Sequence, residues 1–586
     1  MKTIRQLIPF AMLTSAVFGQ APKVSREFES IDPKTNVNVI VQYTHVPGDE
    51  DRQKVIARGG EHHGTLLSVK GAAYRVPASL IADLANDSTV THISVDHKLA
   101  ARNDYSVAAT NAAVAWNTYG ATGKGIGIAI IDSGISAHPD VASSIVYTQD
   151  FTGGNGTDAY GHGTHVAALA AGTGAHAKCT PCTRDLAGMA PGASLINLRV
   201  LDANGESSDS TVISAIETAI QLKATYNIRV INLSLGRPPF ETYTADPLCQ
   251  AVEAAWKAGI VVVVAAGNDG RVNTANNMGY GTINSPANDP YVLTVGAMKT
   301  LQTYTRTDDL MASYSSKGPS LIDNIAKPDL VAPGNLLVSA LANPTDAIPT
   351  AYPQTFIMAD YYDSSAGSTT ESGYYYSLSG TSMAAAVTTG AVADLLQVQP
   401  KLTPDQVKAR LMLTSYKTFP SSSVAVDPVT GQSYLDYYDA LTRGAGYLDL
   451  AAALQNTTVA SGSALSPTLK FSTSTNKPYL QYGSSTVWAQ SGTSGAYAPA
   501  NVWGTTAVNS SNTVLTLATT LNAVSNSATS AAWGTSAAWG TALLGTLSAS
   551  SAAWGTSAAW GTSAVWGTSA VWGTSMAGSD PVIGER

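Results

Sequence analysis

The sequence predicts an α/β fold, a doubly wound parallel sheet, with a small α+β unit before it and a low-complexity, β-repeat tail after it. Three observations carry this. Between about Asn103 and Leu454, runs rich in Ile and Val alternate with amphipathic helical segments, the pattern of a parallel sheet covered on both faces. Residues 20–101 hold shorter, mixed elements, and beyond residue 455 Ser, Thr, Ala and Gly dominate and charges become rare.

In the central region, Gly125–Ile131 is expected as a strand, Ser210–Lys223 as a helix and Arg229–Leu233 as a strand. The helix Asp246–Ala258, stopped by Gly259, precedes the strand Ile260–Ala265. Thr403-Pro404-Asp405-Gln406 combines an N-cap, a proline at the first helical position and a capping-box glutamine, so a helix starts there. In the N-terminal unit, Val37–Tyr43, Gly64–Val69 and Thr89–Val95 are strand-like, and segments near Asp51–Gly59 and Pro77–Asn86 are helical.

Lys2 and Arg5 precede an apolar run from Leu7 to Phe18, with small residues near Gly19. This is the pattern of a secretory signal peptide over residues 1–19, too short to span a bilayer. It predicts a secreted product, with periplasmic or cell-surface retention as variants. The apolar run Ile260–Ala266 has strand length, so no membrane span is expected in the mature chain. Thirty-three Lys+Arg against 41 Asp+Glu, without a long basic run, argue against nucleic acid as a partner. In an exported chain, Cys179, Cys182 and Cys249 suggest one disulfide and one free thiol. Cys179-Thr180-Pro181-Cys182 reads as a local staple; half of a zinc site is the alternative, without a second ligand pair.

From Ala531, Trp-Gly-Thr-Ser-Ala-Ala/Val recurs with tryptophans six apart at Trp554, Trp560, Trp566 and Trp572. An even period places Trp and Thr on one face of an extended strand. A stacked β arrangement and disorder are both open, and a role in binding a surface is the functional expectation.

Nucleophilic catalysis by serine needs an activated hydroxyl, an imidazole base, a carboxylate that orients it, and donors for the oxyanion. Asp132 closes the strand Ile130-Ile131, where open α/β sheets place ligand-binding residues. His162, between Gly161 and Gly163, opens the helical run Ala167–Ala171; His165, almost a turn further on, is expected to be a packed structural residue, as is the loop residue Asp140. Ser382, in Ser379-Gly380-Thr381-Ser382-Met383-Ala384, sits at the start of a long apolar helix through Leu396, where backbone N–H groups favour negative charge. Asn268, after the buried strand, supplies a second oxyanion donor beside the Ser382 N–H.

These segments resemble the subtilisin-like (subtilase) family of serine peptidases. The matches are Ile131-Asp132-Ser133-Gly134, His162-Gly163-Thr164-His165, Ala266-Gly267-Asn268 and Gly380-Thr381-Ser382-Met383-Ala384, in the family's Asp, His, Ser order. Further matches include Asn232-Leu233-Ser234-Leu235-Gly236 and Lys327-Pro328-Asp329-Leu330-Val331-Ala332-Pro333-Gly334. The resemblance covers about residues 103–455. It implies an endopeptidase acting on polypeptides through an acyl-enzyme, with catalytic Asp132, His162 and Ser382 and no cofactor in the chemistry. It also implies that Ser234, Leu235 and Gly236 form an edge strand for the substrate backbone, and that Ala265, Ala266 and Gly267 line the specificity pocket. Residues 20–102 are similar to a pro-segment that acts in cis on the catalytic domain, 103–455, until it is removed; 456–586 form the repeat-bearing C-terminal region.

There are departures from the family pattern. Ala385-Ala386-Val387-Thr388-Thr389-Gly390 lacks the usual proline and histidine, and the tyrosine-rich stretch from Leu336 to Ser379 reads as an insertion near the site. The Cys179–Cys182 loop replaces a region where many relatives bind calcium, so the metal set is unknown and a structural calcium is not assigned. Gly573-Thr574-Ser575-Met576-Ala577 repeats the nucleophile motif without a following helix, so Ser575 is expected to be non-catalytic. Two other functions fit the residues less well. A surface-binding scaffold with a vestigial domain conflicts with four intact catalytic groups, and an α/β-hydrolase esterase with the missing second glycine of its nucleophile motif.

Overall fold

The computed structural model describes residues 23–503, 506–514 and 584–585, apart from breaks of a few residues. The expected signal peptide, the hexapeptide repeats and Ser575 lie outside the described residues. The chain divides into two compact units, 1–100 and 101–586.

The first unit is a four-stranded antiparallel sheet, order β2-β3-β1-β4, of β1 (Asn36–Tyr43), β2 (Glu61–Leu66), β3 (Gly71–Pro77) and β4 (Val90–Val95). Helices α1 (Asp49–Ile56) and α2 (Ile81–Asn86) accompany it. Val39, Val41, Tyr74, Val76 and Ile93 form its core. The sequence pattern leaves β3 unread: its inward positions are Ala72, Tyr74 and Val76, so one of three inward side chains is too small to signal a strand.

The second unit is built on an eight-stranded sheet. Its strands are β5 (Gly127–Asp132), β6 (Ile145–Asp150), β7 (Ser194–Arg199), β8 (Ile228–Leu233), β9 (Val261–Ala265), β10 (Leu293–Lys299), β11 (Leu310–Met311) and β12 (Leu330–Asn335). The order is β11-β10-β9-β8-β5-β7-β6, with β12 also on β10, and only β11 runs antiparallel. From β5 the chain first winds out to β6 and β7, then returns to β8 on the other side. Asp132 therefore ends β5 at the point where the winding reverses, the position at which such sheets place their ligands.

The helices α3 (His162–Ala171), α4 (Asp209–Tyr226), α5 (Pro247–Lys257), α6 (Thr381–Val398) and α7 (Pro404–Thr414) cover the sheet. Their ends obey local rules: Ser208 and Asp246 cap α4 and α5, and Thr403 with Gln406 forms the expected capping box on α7. In α6, residues Thr381–Leu396 are all buried. The helix runs unbroken without the family's proline. Thr388 Oγ1 donates to Ala384 O (2.9 Å) and Thr389 Oγ1 to Asn232 Oδ1 (2.9 Å), so both buried hydroxyls are satisfied. The tyrosine-rich insertion folds as a three-stranded sheet of Leu337–Ala340, Phe356–Met358 and Glu371–Leu378. Cys179 and Cys182 form a disulfide, the expected local staple, and Cys249 is a buried free thiol.

Packing continues past the compositional boundary at residue 455. Trp488, Val502 and Trp503 share one core with Ala409, Met412, Leu441 and Ala445 of the preceding region. Trp488 is fully buried, donates Nε1–H to Leu465 O (2.8 Å) and meets Trp503 edge-on at 5.0 Å. Two large indoles let a stretch of small residues bury enough surface to join the body. Trp488→Ala is therefore expected to lower the stability of the second unit by about 3–5 kcal/mol. Thermal unfolding of the full chain checks it. An unchanged main transition would mean that residues 456–503 contribute nothing to the second unit.

Candidate active site

Four segments meet at the carboxyl edge of the sheet. Asp132, fully buried, accepts at Oδ1 from its neighbour's backbone, Ser133 N (2.7 Å), and pairs through the same oxygen with His162 Nδ1 (2.7 Å). A carboxylate on Nδ1 leaves Nε2 as the unprotonated nitrogen, the state required of a base. Burial alone would lower the pKa of His162, but the Asp132 carboxylate and its hydrogen bond, helped by Asp158, hold it above its ordinary value of 6.5.

His162 is the first residue of α3, and its placement depends on a glycine on each side. Gly161 has φ +98°, and a Cβ at Gly163 would lie 2.3 Å from the Gly134 carbonyl. His165 behaves as expected of a packed residue: it pairs through Nε2 with Leu337 O (3.1 Å), and burial pushes its pKa down to about 3. Asp140 is likewise structural, accepting from the Tyr375 hydroxyl (2.7 Å) and His176 N (2.9 Å).

No sequence motif singles out Asp158. Its carboxylate accepts from Ser133 Oγ (2.8 Å), Tyr160 N (3.2 Å), Gly161 N (2.7 Å) and Thr164 N (2.8 Å). Burial pushes its carboxyl upward, but four donors and no acceptor favour the carboxylate form. The side chain satisfies the free N–H groups at the start of α3, and Ser133 Oγ in turn accepts from Gly163 N (2.9 Å). The available signal was an Asp four residues before a helix-initiating His.

Ser382 lies in the first turn of α6. Its hydroxyl donates to Ser234 O (3.4 Å), while Ser234 Oγ donates to Ser382 O (3.0 Å). Asn268 Oδ1 accepts from Thr381 N (2.9 Å) and Thr381 Oγ1 (3.1 Å). Its carbonyl oxygen must face that N–H donor, so the amide Nδ2 faces away from it. His162, Ser234, Asn268 and Ser382 line one cleft, whose walls include Tyr160, Leu201, Ile348, Leu378 and Met383. Ile348 and Leu378 come from the tyrosine-rich insertion, which lies beside the site as expected.

The expected substrate-binding residues divide into two groups. Ser234 lines the cleft, and Leu235 and Gly236 continue past the end of β8 outside any ladder of the described chain. Their backbone forms no hydrogen bond to other described residues, which leaves the groups that an added substrate strand would use. Ala265, Ala266 and Gly267 are buried in the segment that leads into Asn268. Gly267 N donates to Thr381 Oγ1 (3.2 Å), so this segment locks the Asn268 loop onto the start of α6. Among the described residues, no group of three or more His, Cys, Asp or Glu side chains is arranged to hold a metal ion.

The sequence pattern of the subtilase family matches residues 123–446. Serine protease AprX of Bacillus subtilis (strain 168) is 35% identical over 348 residues, 57% of this chain and 71% of that protein. Subtilisin E of the same organism is 31% identical over 366 residues, 61% and 78% of the two chains. An extracellular serine proteinase of Thermus sp. (strain Rt41A) is 32% identical over 363 residues, 59% and 70%.

Asp158→Asn is expected to move the acid limb of the pH–rate profile to lower pH, because removing a carboxylate near His162 destabilises the imidazolium. An acid limb that stays in place would show that Asp158 does not influence His162. Asn268→Ala is expected to lower kcat by about 10²–10³-fold with little change in KM, measured on a short chromogenic peptide.

Proposed function

Because the chain belongs to the subtilase family of serine endopeptidases, we propose that it is a secreted enzyme, made as a precursor, that cleaves polypeptides with Asp132, His162 and Ser382. The observation that carries this assignment is the buried Asp132–His162 hydrogen bond of 2.7 Å, opening on the cleft that also holds Ser382 and Asn268.

The chemistry needs only these side chains and water. Ser382 Oγ turns from the Ser234 carbonyl to His162 Nε2, gives up its proton there and attacks the scissile carbonyl carbon. Asp132 Oδ1 keeps the Nδ1–H aligned and stabilises the imidazolium that forms. The carbonyl oxygen becomes an oxyanion between Asn268 Nδ2 and the Ser382 N–H, which has no intrahelical acceptor in the first turn of α6. His162 returns the proton to the departing amine, leaving an acyl-enzyme that a water molecule, activated by the same imidazole, hydrolyses. Leu235 and Gly236 pair with the substrate backbone, and the apolar walls of the cleft favour an apolar side chain beside the scissile bond.

Secretion and maturation rest on separate support. The charged, apolar and small-residue order of residues 1–19 is that of an export signal, and no helix among the described residues is long and apolar enough to cross a membrane. The independent unit within residues 20–102 has its own core, as a pro-segment acting in cis requires. The tryptophan repeats then serve to attach the enzyme to a surface.

Ser382→Ala is expected to yield a full-length, unprocessed and inactive protein. Intact-mass and N-terminal analysis of the secreted product checks the processing, and casein turnover checks the activity. Normal turnover by that variant would overturn the assignment.

A further inference from the structure

Glu585 is 1% exposed, although residues 478–579 before it contain no Asp, Glu, Lys or Arg. Its Oε1 accepts from Arg271 Nη2 (2.7 Å), Ser313 N (2.9 Å) and Ser313 Oγ, and its Oε2 lies 2.8 Å from Lys299 Nζ. The backbone is recognised as well: Glu585 N donates to Asn335 Oδ1 (2.9 Å), and Asn335 Nδ2 donates to Glu585 O (2.7 Å). Gly584 has φ +72°, and a Cβ there would come within 2.6 Å of Leu336 Cδ2 and closer still to Ser379 Oγ.

A carboxylate, an amide backbone pair and a position that tolerates only glycine make a site selective for a Gly-Glu segment. We propose that the catalytic unit carries a second peptide-binding site, formed by Arg271, Lys299, Ser313 and Asn335, which captures Gly584–Glu585 of its own chain and thereby positions the oxyanion loop. This rests on the roles assigned to Asn268 and Ser382. Arg271 lies three residues after Asn268, and its Nε also donates to Ser313 Oγ (2.8 Å). On the other side, Ser379 lies three residues before Ser382 and accepts at Oγ from Leu336 N (2.8 Å). The dipeptide thus bridges the segments that bear the two oxyanion donors.

The charges explain why occupancy matters. The Arg271 and Lys299 side chains are 7% and 5% exposed. Arg271 also pairs with Asp427 (3.2 Å), whereas the ion pair of Lys299 among the described residues is to Glu585. Vacating the site strands a buried ammonium, which favours local rearrangement of the loops that hold it.

Two experiments on the full chain test the proposal. In the Ser382→Ala protein, hydrogen exchange at the Glu585 amide, donated to Asn335, is expected to be slowed at least tenfold relative to an unfolded peptide; exchange at the unprotected rate would overturn the capture. This readout needs no catalysis, so it can fail while the Ser382 assignment stands. In the active enzyme, Glu585→Gln and Gly584→Val are expected to lower kcat roughly tenfold or more with KM nearly unchanged, since displacing an oxyanion donor acts on the transition state. A synthetic peptide of residues 581–586 at millimolar concentration should restore kcat to Gly584→Val, and the same peptide with Gln at position 585 should not. Unchanged kcat in both variants, or a loss that neither peptide restores, would overturn the positioning role.

Discussion

The helix that carries Ser382 is buried on all sides, and the start of such a helix leaves backbone N–H groups that need partners. The rest of the site follows from how that need is met. Asn268 Oδ1 takes the Thr381 N–H, which turns the Asn268 amide away from Thr381 and fixes the loop that holds it. The Ser382 N–H has no acceptor among the described residues, and a desolvated donor without one is costly, so this corner of the cleft suits a negatively charged oxygen. Ser234 Oγ holds the Ser382 carbonyl, tying Ser382 to the end of β8, where Leu235 and Gly236 continue without a backbone partner among the described residues.

The same constraint recurs at the base. Helix α3 also starts in the interior, and Asp158 meets its N–H groups with a full carboxylate. That choice has an electrostatic consequence, because the carboxylate also raises the affinity of His162 for a proton. One group therefore fixes the position of the imidazole and shifts its titration. Gly163 completes the arrangement: without a side chain, α3 can approach the Gly134 turn closely enough for Nδ1 to reach Asp132.

What the sequence made legible is local. The four candidate residues stand where short-range rules apply, at strand ends, helix starts and glycine turns, and the structure brings His162, Asn268 and Ser382 into one cleft with Asp132 bonded to His162. The strands β5, β8 and β9 and the helices α4, α5 and α7 fall within a few residues of the segments expected from periodicity and capping. The misses are of other kinds. Strand β3 hides behind small side chains. Asp158 looks like any loop carboxylate until its four donors are seen. The bond from Gly267 N to Thr381 Oγ1, which holds the Asn268 loop on the start of α6, spans more than 100 positions and leaves no local pattern.

The region after residue 455 shows why composition and packing part company. Scarcity of charge reads as low complexity, because most folded surfaces need charged side chains to stay apart. Yet small residues also allow close approach, and Trp488 and Trp503 then supply the area that a core needs. In such a setting each remaining charge becomes informative. A carboxylate near the end of a long uncharged stretch would be expected in water; burial of Glu585 against two cations requires a site that compensates its desolvation. That compensation comes from residues more than 200 positions earlier in the chain, beyond the range of any local pattern. The coupling between tail and active site is therefore a property of the fold, although both of its ends are written plainly in the sequence.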